Sequence, residues 1–421
     1  MDYKTRHLLK IGLVANLFEW YEFSIFGYLA SLIGQLFFKP TDHPILGLLY
    51  AYEVFALSFI IRPFGGLFFG LLGDRIGRGS ALRLSLIMMS IPTILIGILP
   101  TYSQAGLFAI ISLCLLRFIQ GFSAGGELPT TACYVLDASH PDQRSLLCSL
   151  IVASPKLGML LASFTSFLLF YYFDQPSLLQ WAWRIPFLIG IPLTGCILYI
   201  RSGIDELKPI QIPSQAIPSS VTSWKISIIP FFKGVTLVSF GAVYFYTILM
   251  WLPTYLNIFL SVPVAISHAM PTIALCFIIP LYILSGYLSQ RFGYRNLILF
   301  STYITLLFII PLFKLLELYH EFPLTLSLVQ LTLALIYVGV DSALIEILGD
   351  LFPPQNRSVS FGLAWTLSAA LAGGTTPLLF SYVIHKTGWL LFPACYISIF
   401  SLCALPIIIR LDKKRALNCL D

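Results

Sequence analysis

Residues 59–83 read FIIRPFGGLFFGLLGDRIGRGSALR, an apolar, glycine-laced helix that stops in a short charged turn before apolar sequence resumes. Gly65, Gly66 and Gly70 fall close together, so one face of this helix carries almost no side chains. A neighbouring helix can approach such a face closely, and close packing is what associates helices in lipid, where apolar attraction between them does little. The turn from Gly73 through Asp74, Arg75, Ile76 and Gly77 to Arg78 gathers three charges where the chain leaves the apolar run. A membrane helix with a polar hairpin at its end is the unit this stretch specifies.

The rest of the chain repeats that unit. Apolar residues make up 58% of the 421 residues and charged ones only 10%, against about 25% charged in an ordinary soluble domain. Apolar runs of about 20 residues recur along nearly the whole length, which reads as membrane spans. The runs are expected at 11–37, 47–73, 82–100, 105–134, 145–172, 184–201, 228–258, 269–289, 296–313, 325–350, 358–384 and 391–410. The class is therefore an all-α polytopic membrane protein with twelve transmembrane helices. Residues 202–227, where proline, serine and glutamine replace apolar residues, divide the chain near its middle. That gives an N-terminal six-helix bundle over 1–201, a linker over 202–227, a second six-helix bundle over 228–410 and a tail over 411–421. Such a two-bundle repeat suits a carrier.

Basic residues set the orientation. With the N-terminus inside, Lys4, Arg6, Lys10, Arg75, Arg78, Arg83, Arg144, Arg201, Arg291, Arg295, Arg357 and the Arg410–Arg415 cluster are cytoplasmic. Only Lys39, Lys314 and Lys386 fall outside. Both termini are thus expected in the cytoplasm, in a bacterial inner membrane. The net charge of +6 is spread over short turns and builds no nucleic-acid footprint. Cysteines occur at irregular spacing with no paired CxxC, so core filling is expected over metal or redox chemistry. The six histidines fall near span ends or in turns and read as solvated residues, without metal-ligand spacing. The first apolar run is long, carries glutamates and lacks a small-residue cleavage site, so it reads as a retained helix.

Several motifs carry a family resemblance. The order G-x-x-x-D-R-x-G-R from Gly70 resembles the loop between the second and third helices of major facilitator transporters. Ser285–Arg295, SGYLSQRFGYR, echoes it after the eighth span, with Gln290 where the family usually has an acid. Glu19-Trp20-Tyr21-Glu22-Phe23 in the first span and Arg117–Glu127, RFIQGFSAGGE, in the fourth narrow the likeness. So do Trp183-Arg184-Ile185-Pro186-Phe187 and Asp350-Leu351-Phe352-Pro353 before Arg357. Together they resemble the metabolite:proton symporter family, which includes proline/betaine, citrate and α-ketoglutarate carriers. The resemblance implies the major facilitator fold, proton-driven uptake without a cofactor, and a monomer working by rocker-switch alternating access. Three departures stand out: Glu22 where the family usually has aspartate, a charged Lys156 in the fifth span, and no long helical tail after Arg415.

Charged groups within hydrocarbon cost several kcal/mol, so each intramembrane one is a functional candidate. Glu19 and Glu22 are three apart on a helix and share one side, near mid-depth. Arg117 lies near mid-depth of the fourth span. If both helices line the cavity, as in the family, the three charges meet at one level. An arginine beside two carboxylates holds one ionised and leaves the other easier to protonate, which is a proton-coupling arrangement; a permanent structural ion pair is the alternative. Arg62 and Lys156 would add to an anion-binding cluster, with pairing of Lys156 to Glu53, Asp341 or Glu346 left open. Tyr21, Tyr28, Tyr244, Trp251 and Trp365 are candidates to shape a substrate pocket. Gly73, Asp74, Arg75, Gly77, Arg78 and Glu127 are expected to form a cytoplasmic gate against the N-terminus of the eleventh helix, where the resemblance places it. Gly373-Gly374-Thr375-Thr376-Pro377 should bend the eleventh span.

The function these readings imply is proton-coupled symport of a small organic metabolite, a carboxylate or a zwitterionic amino acid or betaine. The competing class is a non-transporting sensor or a channel on the same fold. No catalytic cluster points to an enzyme.

Overall fold

A computed structural model of the chain describes residues 3–39, 44–76, 78–125, 127–138, 141–195, 228–353 and 357–411. The expected linker over 202–227 and most of the tail lie outside the described residues. What is described is helical almost throughout, with no strand among the described residues.

Among the described residues, eight helices are long and apolar enough to cross a membrane: Ile45–Phe69, Gln143–Tyr172, Ile228–Phe259, Val264–Phe292, Tyr294–Leu318, Pro323–Leu351, Val359–Thr387 and Phe392–Ile409. Shorter apolar helices run over Leu84–Ile98 and Leu107–Ser123. With the helix Tyr3–Tyr28, and the segment that starts at Ile185, they complete twelve spans. Ordinal numbers below follow chain order.

The boundaries follow from local chemistry. Gly293, at φ 82°, ends the eighth helix and starts the ninth within one residue. Gly388, at φ 69°, closes the eleventh. Asp174 caps the short helix Gln175–Gln180, accepting a hydrogen bond from the Ser177 backbone N–H at 3.4 Å. Arg184 sits at the opening of the sixth span and donates to Gly97 O at 2.9 Å and Leu99 O at 2.7 Å. It thereby satisfies carbonyls left over at the end of the third helix.

Several spans are less regular than their hydropathy implies. The fourth, expected as one helix over 105–134, breaks after Ser123 and restarts at Glu127. The seventh widens into i+5 hydrogen bonding over Tyr246–Trp251 and again over Tyr255–Phe259, on either side of Pro253, which has no N–H to give. The eleventh widens over Ala369–Gly373 and resumes at Thr376, so its regular hydrogen bonding is interrupted just before and within the Gly373–Pro377 stretch. In the fifth helix Pro155 leaves the Ile151 carbonyl without its usual donor, and Ser154 Oγ supplies one at 2.9 Å.

The glycine face of residues 59–83 does what its composition requires. A Cβ on Gly65 would lie 1.6 Å from Phe122 O, and one on Gly121 would lie 2.0 Å from Ser58 O. The second and fourth spans therefore touch backbone to backbone. Gly70 lies outside the residues whose burial is described.

The first six and last six spans form two bundles, which pack mainly through the fifth span against the eighth and through the first and second against the seventh and eleventh. They touch toward both faces of the molecule. On the face where the helix Tyr3–Tyr28 begins, Arg144 Nη2 lies 3.3 Å from Asp350 Oδ1 and Ser145 Oγ donates to Glu346 Oε2 at 3.0 Å. Toward the opposite face, Tyr52 Oη and Thr254 Oγ1 are 2.7 Å apart, and Ser166 Oγ is 3.1 Å from His268 Nδ1. His268, expected in solvent, is instead buried and stacked on Phe170 with centroids 4.5 Å apart. It begins one turn inside the eighth helix, deep enough to be covered by the fifth. Cys276 and Cys403 are exposed on their spans and fill no core, unlike Cys133 and Cys148.

Candidate functional site: buried charges between and within the bundles

Glu19 and Glu22 are both buried, but they diverge and do not share the one side expected of them. Three residues on a helix turn the side chain by about 60° relative to its neighbour below, enough to aim the two at different surroundings. Glu22 points into the first bundle, where Thr93 Oγ1 of the third span donates to Glu22 Oε2 at 3.2 Å. Gln120 Nε2 donates to the same hydroxyl at 2.6 Å, and Arg117 Nη1 donates to Gln120 Oε1 at 2.9 Å. Glu22 and Arg117 are thus joined through Thr93 and Gln120. Thr93 was not singled out by the sequence, where a threonine in an apolar span carries no signal.

Arg117 is fully buried, and its guanidinium lies 4.1 Å from the Phe26 ring centroid and 4.9 Å from that of Phe23. Rings at that range offer a partial substitute for water around a cation. Its Nε and Nη2 have no hydrogen-bond acceptor among the described residues. Arg62, also buried, stands over Phe59 at 4.2 Å and Phe23 at 4.4 Å, so Phe23 is shared by the two guanidinium groups.

Glu19 faces a different space. With Trp20, Arg62 and Trp365 it borders a narrow cavity between the first, second, fourth and eleventh spans. The cavity holds about 10 Å³, room for one water molecule. Trp365 is half-buried there and stacks on Phe361 with centroids 5.9 Å apart. Of Tyr21, Tyr28, Tyr244, Trp251 and Trp365, it is Trp365 that borders this cavity, together with Trp20. The Tyr21 hydroxyl donates to Pro186 O at 2.7 Å, and that of Tyr28 to Leu249 O at 2.8 Å across the bundle interface. The Tyr244 hydroxyl donates to Leu333 O at 3.2 Å and Trp251 Nε1 to Ser381 Oγ at 2.9 Å, both within the second bundle.

Lys156 resolves to one of the three partners left open. Its Nζ lies 2.5 Å from Asp341 Oδ2 of the tenth span, and both side chains are only 5% exposed. Glu53 is exposed, and Glu346 sits farther along the tenth helix with Ser145. Tyr282 Oη donates to the same Asp341 oxygen at 2.7 Å. The pair crosses from one bundle to the other.

The gate expected at Gly73, Asp74, Arg75, Gly77, Arg78 and Glu127 falls outside the described side chains, and Gly77 outside the described residues. Its helices do meet: Arg62–Ile76 packs against Arg357–Ser368, the start of the eleventh span.

Comparison with known proteins decides the family. The model of the Major Facilitator Superfamily matches residues 12–377. The chain belongs to the major facilitator superfamily. Within it, the chain is 31% identical over 413 residues to a putative proline/betaine transporter of Staphylococcus haemolyticus, covering 96% of this chain and 86% of that one. It is 29% identical over 423 residues to the proline/betaine transporter of Salmonella typhimurium, covering 96% and 83%. The ectoine/proline transporter ProP of Corynebacterium glutamicum is 29% identical over 425 residues, covering 94% and 82%. Among solved structures, the proton:xylose symporter XylE superposes with a TM-score of 0.75 at 14% identity, over 97% of this chain and 95% of that one. That likeness shows the fold. This major facilitator chain is a multi-pass membrane transporter of a small molecule, and not an enzyme.

Proposed function

We propose that the chain is a proton-coupled symporter of a small organic metabolite, a carboxylate or a zwitterionic amino acid or betaine. It works as a monomer in the inner membrane of a bacterium, with both termini cytoplasmic and no cofactor beyond the proton gradient. Bundles 1–201 and 228–410, joined by the linker 202–227 and followed by the tail 411–421, rock about a site between them.

The observation that supports this reading is the buried line Glu22, Thr93, Gln120, Arg117, with Glu19 and Arg62 on the adjoining cavity. Two carboxylates and two guanidinium groups in one low-dielectric bundle are costly unless their charges are shared. Substrate engaging a guanidinium would loosen its hold on a carboxylate, which then takes a proton; release of cargo would reverse the exchange. Gln120 and Thr93 can pass that change from Arg117 to Glu22 by reorienting an amide and a hydroxyl. Relatives named for proline, betaine and ectoine support a cargo that carries a carboxylate.

The test is uptake of a panel of radiolabelled carboxylates and amino acids into proteoliposomes, with and without an imposed pH gradient. Accumulation of at least one compound only under an inwardly directed proton gradient is expected. Binding without flux for every compound bound would move the chain to the sensor class.

A further inference from the structure

The surroundings of Lys156 are unlike those of an ordinary ion pair. Its ammonium lies 5.0 Å from the ring centroid of Phe245, 5.4 Å from that of Tyr282 and 5.7 Å from that of Tyr337. Asp341 Oδ2 lies 2.5 Å from the ammonium and accepts a hydrogen bond from Tyr282 Oη. All five residues are buried. Three rings within about 6 Å of a positive centre, together with one carboxylate, are the chemistry that recognises alkylated ammonium groups.

The parts come from different bundles. Phe245 lies on the seventh span, Tyr282 on the eighth, and Tyr337 and Asp341 one turn apart on the tenth, all in the second bundle. The cation alone comes from the first bundle, on the fifth span just after Pro155. The second bundle therefore carries three rings and a carboxylate around one point, and the first inserts a tethered ammonium among them.

We infer that Phe245, Tyr282, Tyr337 and Asp341 form an alkylammonium-binding site that Lys156 occupies from within, making Lys156 a specificity-determining residue. A group held in place by the same chain competes without the loss of translational and rotational freedom that a free ligand must bear on binding. The ammonium group of a cargo is thus kept out of this cage. For the cargo, an extension that rests on the transport reading above, the consequence is selection for compounds recognised by their carboxylate. Betaines and other quaternary ammonium compounds lose the cage that would hold their cationic head.

The experiment is chemical rescue of Lys156→Ala. Truncation at Cβ removes the equivalent of n-propylammonium, so that ion is the probe, at about 50 mM, against the same ionic strength of KCl and against uncharged n-propanol. Melting of detergent-solubilised protein is the readout, which needs no flux. Lys156→Ala is expected to melt below wild type and to recover at least half of the deficit with n-propylammonium, but not with KCl or n-propanol. Wild type and Lys156→Ala/Asp341→Asn are expected not to respond. Tetramethylammonium on wild type is also expected to produce no shift.

Equal recovery by n-propanol would reduce the site to a cavity being filled and would overturn the inference. So would a wild type that responds as the variant does, or a variant that does not respond at all. If Lys156→Ala is recovered folded only when purified in n-propylammonium, that is the rescue. If it is not recovered even then, while the double variant is, the cage is refuted. Failure of rescue with gradient-driven uptake intact would leave the carrier standing; rescue without uptake would do the reverse.

Discussion

The contacts Arg144–Asp350 and Ser145–Glu346 hold the two bundles together on the face where the helix Tyr3–Tyr28 begins, and cutting them makes a measurable prediction. Arg144→Gln with Ser145→Ala removes both donors from the first bundle and leaves the second untouched. The Arg144–Asp350 pair is about a quarter exposed on each side, so it contributes about 0.2–1 kcal/mol. The Ser145 hydrogen bond ends on a buried carboxylate and contributes about 1.5–3 kcal/mol. Their loss disfavours the closed arrangement by about 2–4 kcal/mol, which raises the open population roughly 30- to 700-fold until the open form dominates. Cys148 reports on it: the residue is fully buried, one turn along the fifth helix from Ser145. In a variant whose only cysteine is Cys148, the rate of modification by a polar maleimide tracks the open population when opening is fast. The rate is expected to rise by at least tenfold in the double substitution and to return when the two residues are restored. A change of less than threefold would refute the reasoning that these contacts keep this face closed.

Other consequences follow from the packing and the charges. Gly121→Ala places a Cβ 2.0 Å from Ser58 O, whereas nothing lies within 4 Å of one on Gly195. The first should lower stability by about 1–3 kcal/mol and the second by much less, read as melting temperature in detergent. Thr93→Val removes the hydroxyl that serves both Glu22 and Gln120, at a cost of about 1–3 kcal/mol; Thr93→Ser, which keeps the hydroxyl, should recover most of it. Asp341→Asn leaves the Lys156 ammonium buried without its counter-charge and is expected to cost about 3–5 kcal/mol. Adding Lys156→Met should return a large part of that, so additive losses in the thermal cycle would argue against coupling. At the edge of the molecule, the Ser177 hydroxyl and backbone hold the Asp174 carboxyl below the usual carboxylate range. A depressed folded pKa means that this cap is at full strength above the unfolded carboxylate value and is lost as pH falls through the folded one. Protection of the Gln175–Gln180 amides, taken relative to their intrinsic exchange at each pH, should fall at that acid end, and Asp174→Asn should flatten that fall.

How much was legible in the sequence differs between fold and site for physical reasons. The glycine face of residues 59–83 was readable because a close backbone approach needs only the absence of side chains, which composition shows directly. Span number was readable because hydrocarbon thickness fixes element length. The irregular turns at Tyr246–Trp251 and Tyr255–Phe259 were not, since a proline announces a missing donor but not how the helix absorbs it. For the site, Glu19, Glu22, Arg62, Arg117 and Lys156 were legible as charges too costly to place idly in lipid. Their partners were not. Asp341 is 185 residues from Lys156, and nothing local ties the two together or ranks Asp341 above Glu346. Thr93 and Gln120 are neutral polar residues of ordinary spans, so the route from Glu22 to Arg117 appears only once three helices are packed. Tyr28, Tyr244 and Trp251 illustrate the converse. A buried hydroxyl or indole N–H needs an acceptor, and each found one in the protein.

The central claim, that Glu22 carries the proton whose movement is linked to cargo, meets its most direct test in Glu22→Gln. Reconstituted wild type and variant would be compared in two modes, pH-gradient-driven accumulation and exchange of labelled for unlabelled cargo at equilibrium. The account predicts that the variant keeps exchange and loses accumulation. Accumulation at the wild-type level in Glu22→Gln would contradict it.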